Sequence, residues 1–78
     1  MKAKVYVTLK NGVLDPQGKA VAHALESMGH KNVKDVRVGK FFEIEMDANP
    51  EQAKAQLQEM GEKLLANTVI ENYKIELS

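Results

Sequence analysis

Residues 2 to 10 read KAKVYVTLK, and their alternation is strict. Ala3, Val5, Val7 and Leu9 fall on one face of an extended chain, with Lys2, Lys4, Tyr6, Thr8 and Lys10 on the other. Side chains on a strand alternate with period two, so this pattern specifies a half-buried strand and excludes a helix over the same residues. A strand needs neighbours for its open backbone groups, and its apolar face needs a covering layer. The rest of the chain has to supply both.

Asn11-Gly12 closes the strand, and VLDPQGKAV (residues 13–21) opens a helix. Asp15 can accept from the orphan amides of the first turn, and Pro16 suits the first helical position, where no donor is missed. Val21, Ala24, Leu25 and Met28 form one apolar stripe, and Gly29 is a natural stop. A single glycine and a single lysine do not make a Walker-type phosphate loop, which needs several glycines and a Lys-Ser/Thr pair. Asp15 would also place negative charge where the anion would sit. The segment therefore reads as a helix start, with Gly18 leaving room for a close approach.

VKDVRVGKFFEIEM (residues 33–46) holds two strand patterns, Val36 and Val38 in the first, Phe42, Ile44 and Met46 in the second. Gly39-Lys40 between them predicts a two-residue hairpin, with one long strand bent at a glycine bulge as the alternative. Asn49-Pro50 repeats the Asp-Pro device, and Gln52 completes a capping-box pattern. The second helix carries Ala53, Leu57, Met60 and Leu64 as its stripe and ends near Asn67. Gly61 lies inside it at a propensity cost of up to about 1 kcal/mol against alanine, explained by a close helix contact, an assembly surface or a tolerated defect. A last strand sets Tyr73, Ile75 and Leu77 against Asn72, Lys74 and Glu76.

The expected order is strand, helix, strand, strand, helix, strand. Right-handed crossovers then give a ferredoxin-like α+β fold, an antiparallel sheet with two helices on one face, as a single domain over residues 1–78. The other face carries mixed side chains such as Tyr6, Phe41 and Glu43, a surface that a second subunit could cover. With 78 residues and no cysteine, neither disulfides nor thiolate metal sites can reinforce so small a core, which favours assembly.

Eleven basic and eleven acidic residues cancel, whereas a nucleic-acid binder of this size carries a basic excess. No apolar run approaches the roughly 20 residues that span a bilayer, and the N-terminus alternates instead of forming a signal core. No nucleic acid, no membrane and a cytoplasmic setting are expected. Ser27 and Ser78 lie in no nucleophile elbow. His23 and His30 flank a helix end without placed carboxylates, which is no metal site. Glu43 and Glu45 share a strand face roughly 7 Å apart, the spacing of any solvated strand. Phe41 and Phe42 point to opposite faces and cannot form an RNA-stacking platform.

Three blocks carry a family likeness: KVYVTLKNGVLDPQGKAVAHAL, DVRVGKFFEIEM and EKLLANTVIENYKIEL. The chain resembles the PurS family, the small subunits of phosphoribosylformylglycinamidine (FGAM) synthase, nearly throughout and without a gap. The resemblance implies a non-catalytic subunit in de novo purine synthesis. In that family PurL amidates formylglycinamide ribonucleotide with ATP, PurQ releases ammonia from glutamine, and PurS bridges the two and assists ammonia transfer. It implies no catalytic, cofactor or metal residue in this chain, with ATP, magnesium and glutamine used by the complex, and self-association to a dimer or tetramer. As partner surfaces it points to Asp15, Pro16, Gln17 and Gly18 at an exposed helix start, Asn67 and Thr68 after the second helix, and Arg37 and Lys40 flanking the hairpin. Two other readings share this element order. An ACT-type regulatory domain that binds a small molecule is one; a metal chaperone is the other, and it lacks the cysteine pair it would need.

Overall fold

β1 spans Lys2–Leu9, as the alternation predicts, and it is the central strand of a three-stranded antiparallel sheet ordered β2-β1-β3. β2 is Gly39–Glu45 and β3 is Glu71–Leu77. The computed structural model describes residues 1–77. Val5 lies opposite Phe42 on one side and Ile75 on the other, so three apolar faces share one register. That face is covered by helix α2, Pro50–Met60, whose Ala53 and Leu57 are fully buried with Ala3, Val5 and Val7. Asn49 caps α2 by accepting from the Gln52 amide at 2.9 Å, and Pro50 takes the first helical position.

The second helix continues past α2 as one π turn over Gly61–Leu65, closed by the Ala66 amide on the Gly61 carbonyl at 2.9 Å. A π turn carries more residues than an α turn and so shifts the register of the residues after it. The expected stripe position Leu64 is thereby turned outward, 81% exposed, while Leu65 and Ala66 reach the core. Gly61 has a close contact as its reason, with a strand rather than with the expected helix. A Cβ there would lie 2.9 Å from the Tyr73 ring, which packs over it from β3. The Tyr73 hydroxyl donates to Glu62 at 3.2 Å. Burial first, and then the Glu62 carboxylate, push this phenol above its ordinary 10.0.

The middle of the chain corrects the expected hairpin. Gly39 and Lys40 lie inside β2, and residues 33–38 run without strand pairing. A hairpin with glycine at its first turn position needs positive φ there, and only Gly12 and Gly29 have it. The Val38 amide, which a hairpin would pair across the sheet, donates instead to the Asp15 carboxylate at 2.8 Å. The α+β class and the antiparallel sheet stand, with one strand built where two were expected and α2 alone, rather than both helices, packed in the core over the sheet face.

Helix α1, Pro16–Ser27, begins at Asp15 and is followed by Gly29 in the left-handed region at φ 100°. Its stripe is largely uncovered within the chain: Val21 is 42% and Met28 71% exposed, and Leu25 is half-buried. The molecule measures 48 × 25 × 14 Å, and its radius of gyration is 15.8 Å, against about 11.5 Å for a compact chain of this length. It exposes 5867 Å², where about 4,700 Å² is expected of a compact monomer of its mass. The outer sheet face is polar and stitched by charge, with Lys2 3.5 Å from Glu43 and Lys74 3.5 Å from Glu76. Tyr6 stacks on Phe41 there, with ring centres 5.1 Å apart. Phe42 turns inward against the core, so the two phenylalanines do take opposite faces.

Candidate functional site

Asp15 ends the loop after β1, and both its oxygens are used. Oδ1 accepts from the Gly18 amide at 2.9 Å, capping α1, and Oδ2 accepts from the Val38 amide at 2.8 Å. Arg37 brings its guanidinium to 4.0 Å of the same carboxylate and donates to the Leu9 and Lys10 carbonyls, each at 3.1 Å. Gly18 closes the arrangement. A Cβ there would overlap the Val36 carbonyl oxygen and lie 2.8 Å from Asp15 Oδ2. Asp15 and Gly18 are therefore buried rather than exposed as expected. The reason is physical: both residues of the cap meet residues 36–38, Asp15 through the Val38 amide and Gly18 against the Val36 carbonyl.

The Asp15 carboxyl is held below its ordinary 3.8, chiefly by the Val38 amide and then by that of Gly18. Burial works against this, and the Arg37 charge adds a smaller lowering. A carboxyl with a lower pKa folded than unfolded contributes stability above its unfolded value, and that contribution is lost as pH falls through the folded one. Acidification below 3.8 is accordingly expected to loosen the Gly18 and Val38 amides together. Amide shifts followed by NMR during an acid titration check this, and Asp15→Asn should abolish the coupled change.

The remaining sequence-predicted residues lie at the same end of the sheet. Pro16, Gln17 and Lys40 line an open groove of about 230 Å³ with Leu9, Val38 and Glu71. Asn67 and Thr68 sit in the turn that leads into β3. The Asn67 amide donates to Glu71 at 2.7 Å, its carbonyl accepts from Glu71 at 2.7 Å, and its side chain accepts from Val69 at 3.2 Å. The Lys10 amide ties the same turn to the β1 end through the Ile70 carbonyl at 2.9 Å. Glu71 thus braces the Asn67 turn and lines the groove with Pro16 and Gln17, and Val38 joins the helix start to β2. Sequence reasoning missed both, since neither carries a motif.

Little at this end can do chemistry on a substrate. Among the described residues no group of three or more His, Asp or Glu is placed to hold a metal. His23 lies exposed on α1 and His30 beyond its end, and Ser27 is exposed at the last turn of α1; Ser78 lies outside the described residues. A larger groove, about 470 Å³, runs between α2 and β3 and is lined by Lys54, Gln58, Tyr73, Ile75 and Leu77. Its lining includes no carboxylate, no histidine and none of the candidate residues. No helix among the described residues is long and apolar enough to cross a membrane.

Comparison with known proteins gives one consistent answer. Residues 2–78 match the family model described as "PurS: Phosphoribosylformylglycinamidine (FGAM) synthase". The phosphoribosylformylglycinamidine synthase subunit PurS of Bacillus subtilis is 54% identical, over 97% of this chain and 90% of its own length. A crystal structure of B. subtilis PurS in the C2 form superposes with a TM-score of 0.87 at 55% identity, covering 96% of this chain and 94% of that one. A chain of the PurLQS structure from Thermotoga maritima does so with a TM-score of 0.88 at 32% identity, covering 96% of this chain and 93% of its own.

Proposed function

The chain belongs to the PurS family of FGAM synthase subunits, and on that premise we propose that it joins the PurL synthase to the PurQ glutaminase and assists the passage of ammonia between them. It is an accessory subunit of purine biosynthesis rather than an enzyme on its own. Its partners are PurL, PurQ and further copies of itself, as a dimer or tetramer, within one PurS-like domain over residues 1–78. The complex uses ATP, magnesium and glutamine to convert formylglycinamide ribonucleotide to formylglycinamidine ribonucleotide, and it works in the cytoplasm.

The observation that carries this reading is the match over nearly the full length. The surface agrees with it. The chain exposes roughly 1,100 Å² more than a compact monomer of its mass, more than the about 800 Å² a subunit gives to a standard interface. The largely uncovered α1 stripe is part of that excess. We assign the partner contact to the end of the sheet where Pro16, Gln17, Lys40, Asn67 and Thr68 are exposed, with Asp15, Gly18 and Arg37 holding it in shape. The ACT-type alternative gives way to the family assignment.

Reconstitution tests the proposal. PurL and PurQ together are expected to show full glutamine-dependent synthase activity only when this chain is added. Full activity in its absence would refute the role.

A further inference from the structure

The buried apolar cluster draws on β1, β2, β3, α2, the π turn and their flanks, and no described residue from 11 to 37 belongs to it. That stretch holds α1 and the unpaired segment after it. Its attachment to the sheet is polar and gathered in one place. Asp15 grips the Val38 amide just before β2 begins, and Arg37 grips the Leu9 and Lys10 carbonyls where β1 ends. α1 has 12 residues, a length at which an isolated helix is marginal in water. With its stripe largely uncovered, it depends on its start for support.

We propose that the chain consists of two separately cooperative units, the sheet with α2 and Val38 at the entry to β2, and an arm of residues 11–37, fastened at Asp15. Asp15 is the positioning residue that sets how α1 is held out for assembly. The part concerning assembly rests on the subunit role proposed above; the fastening does not. Proteins open in such units, and the element with the fewest apolar contacts opens first. The carboxylate suits the task because it offers an acceptor to each side of the joint. Asparagine keeps one acceptor for Gly18 and turns an amide donor towards the Val38 donor. Serine can still cap the helix but is too short to reach Val38 as well.

Hydrogen exchange on the full chain tests the fastening, with Asp15→Asn and Asp15→Ser compared with the parent. Both variants are expected to raise α1 exchange about tenfold or more and to leave β1 and α2 amides unchanged. Both should restore glutamine-dependent activity to PurL and PurQ only at raised concentration. Equal loss of protection in α1 and β1 would overturn the two-unit picture. Parent-like exchange in Asp15→Ser would reduce Asp15 to a helix cap and overturn the fastening. Loosened α1 with an unchanged concentration requirement would overturn its role in assembly. If the parent chain itself restores no activity, the subunit role fails, and the exchange result still decides the fastening.

Discussion

Gly18→Ala is expected to detach α1 from the segment that feeds β2. Two effects oppose each other at this position. Alanine is the better helix former by up to about 1 kcal/mol, which by itself would stabilise the first turn. Its Cβ, however, would overlap the Val36 carbonyl oxygen and press on Asp15 Oδ2 at 2.8 Å. Overpacking against backbone costs about 1–3 kcal/mol and sometimes more, because a carbonyl cannot swing aside as a flexible side chain can. The clash wins. Exchange measurements on the variant should show lost protection in α1 and at Val38 with the sheet retained, and complex formation with PurL and PurQ should weaken in parallel. Unchanged α1 protection would mean that the helix start moves aside at no cost.

Leu57→Ala strikes the other part of the molecule and is expected to threaten it as a whole. Leu57 is the largest fully buried side chain, packed with Val5 and Val7 beneath α2. Truncating such a leucine removes its transfer energy and leaves a cavity, at a cost of about 2–5 kcal/mol. A domain of this length has a total stability of about 4–12 kcal/mol, so a large share is lost at one site. The denaturant midpoint should fall steeply with the slope unchanged. A midpoint within error of the parent would show that α2 does not hold the sheet.

The sequence reveals what local rules decide and misses what distant partners decide. β1, the Asp-Pro and Asn-Pro helix starts and the Gly29 stop are legible because period and capping act within a few residues. The hairpin is not, because the fate of the Val38 amide depends on Asp15, far back in the chain. Leu64 is misplaced by a π turn that begins at Gly61, where the Tyr73 ring from β3 packs. The candidate site divides in the same way. One oxygen of Asp15 is readable as a cap, while the other, which makes it a joint, is not. Arg37 reads in the sequence only as a flank of the expected hairpin, whereas its side chain works on the Leu9 and Lys10 carbonyls.

The placement of β1 has a consequence for the order of folding. The central strand lies near the start of the chain, and both of its neighbours come from the later half. It is synthesised before either of the strands it pairs with. β2 reaches it only after the whole arm has been made, and β3 only after α2 has followed. Every ladder in the sheet must therefore close a long loop, the situation that slows folding and keeps an apolar strand exposed during synthesis. The lysines at positions 2, 4 and 10, which bracket and interrupt that strand, then guard it against pairing with the wrong neighbour.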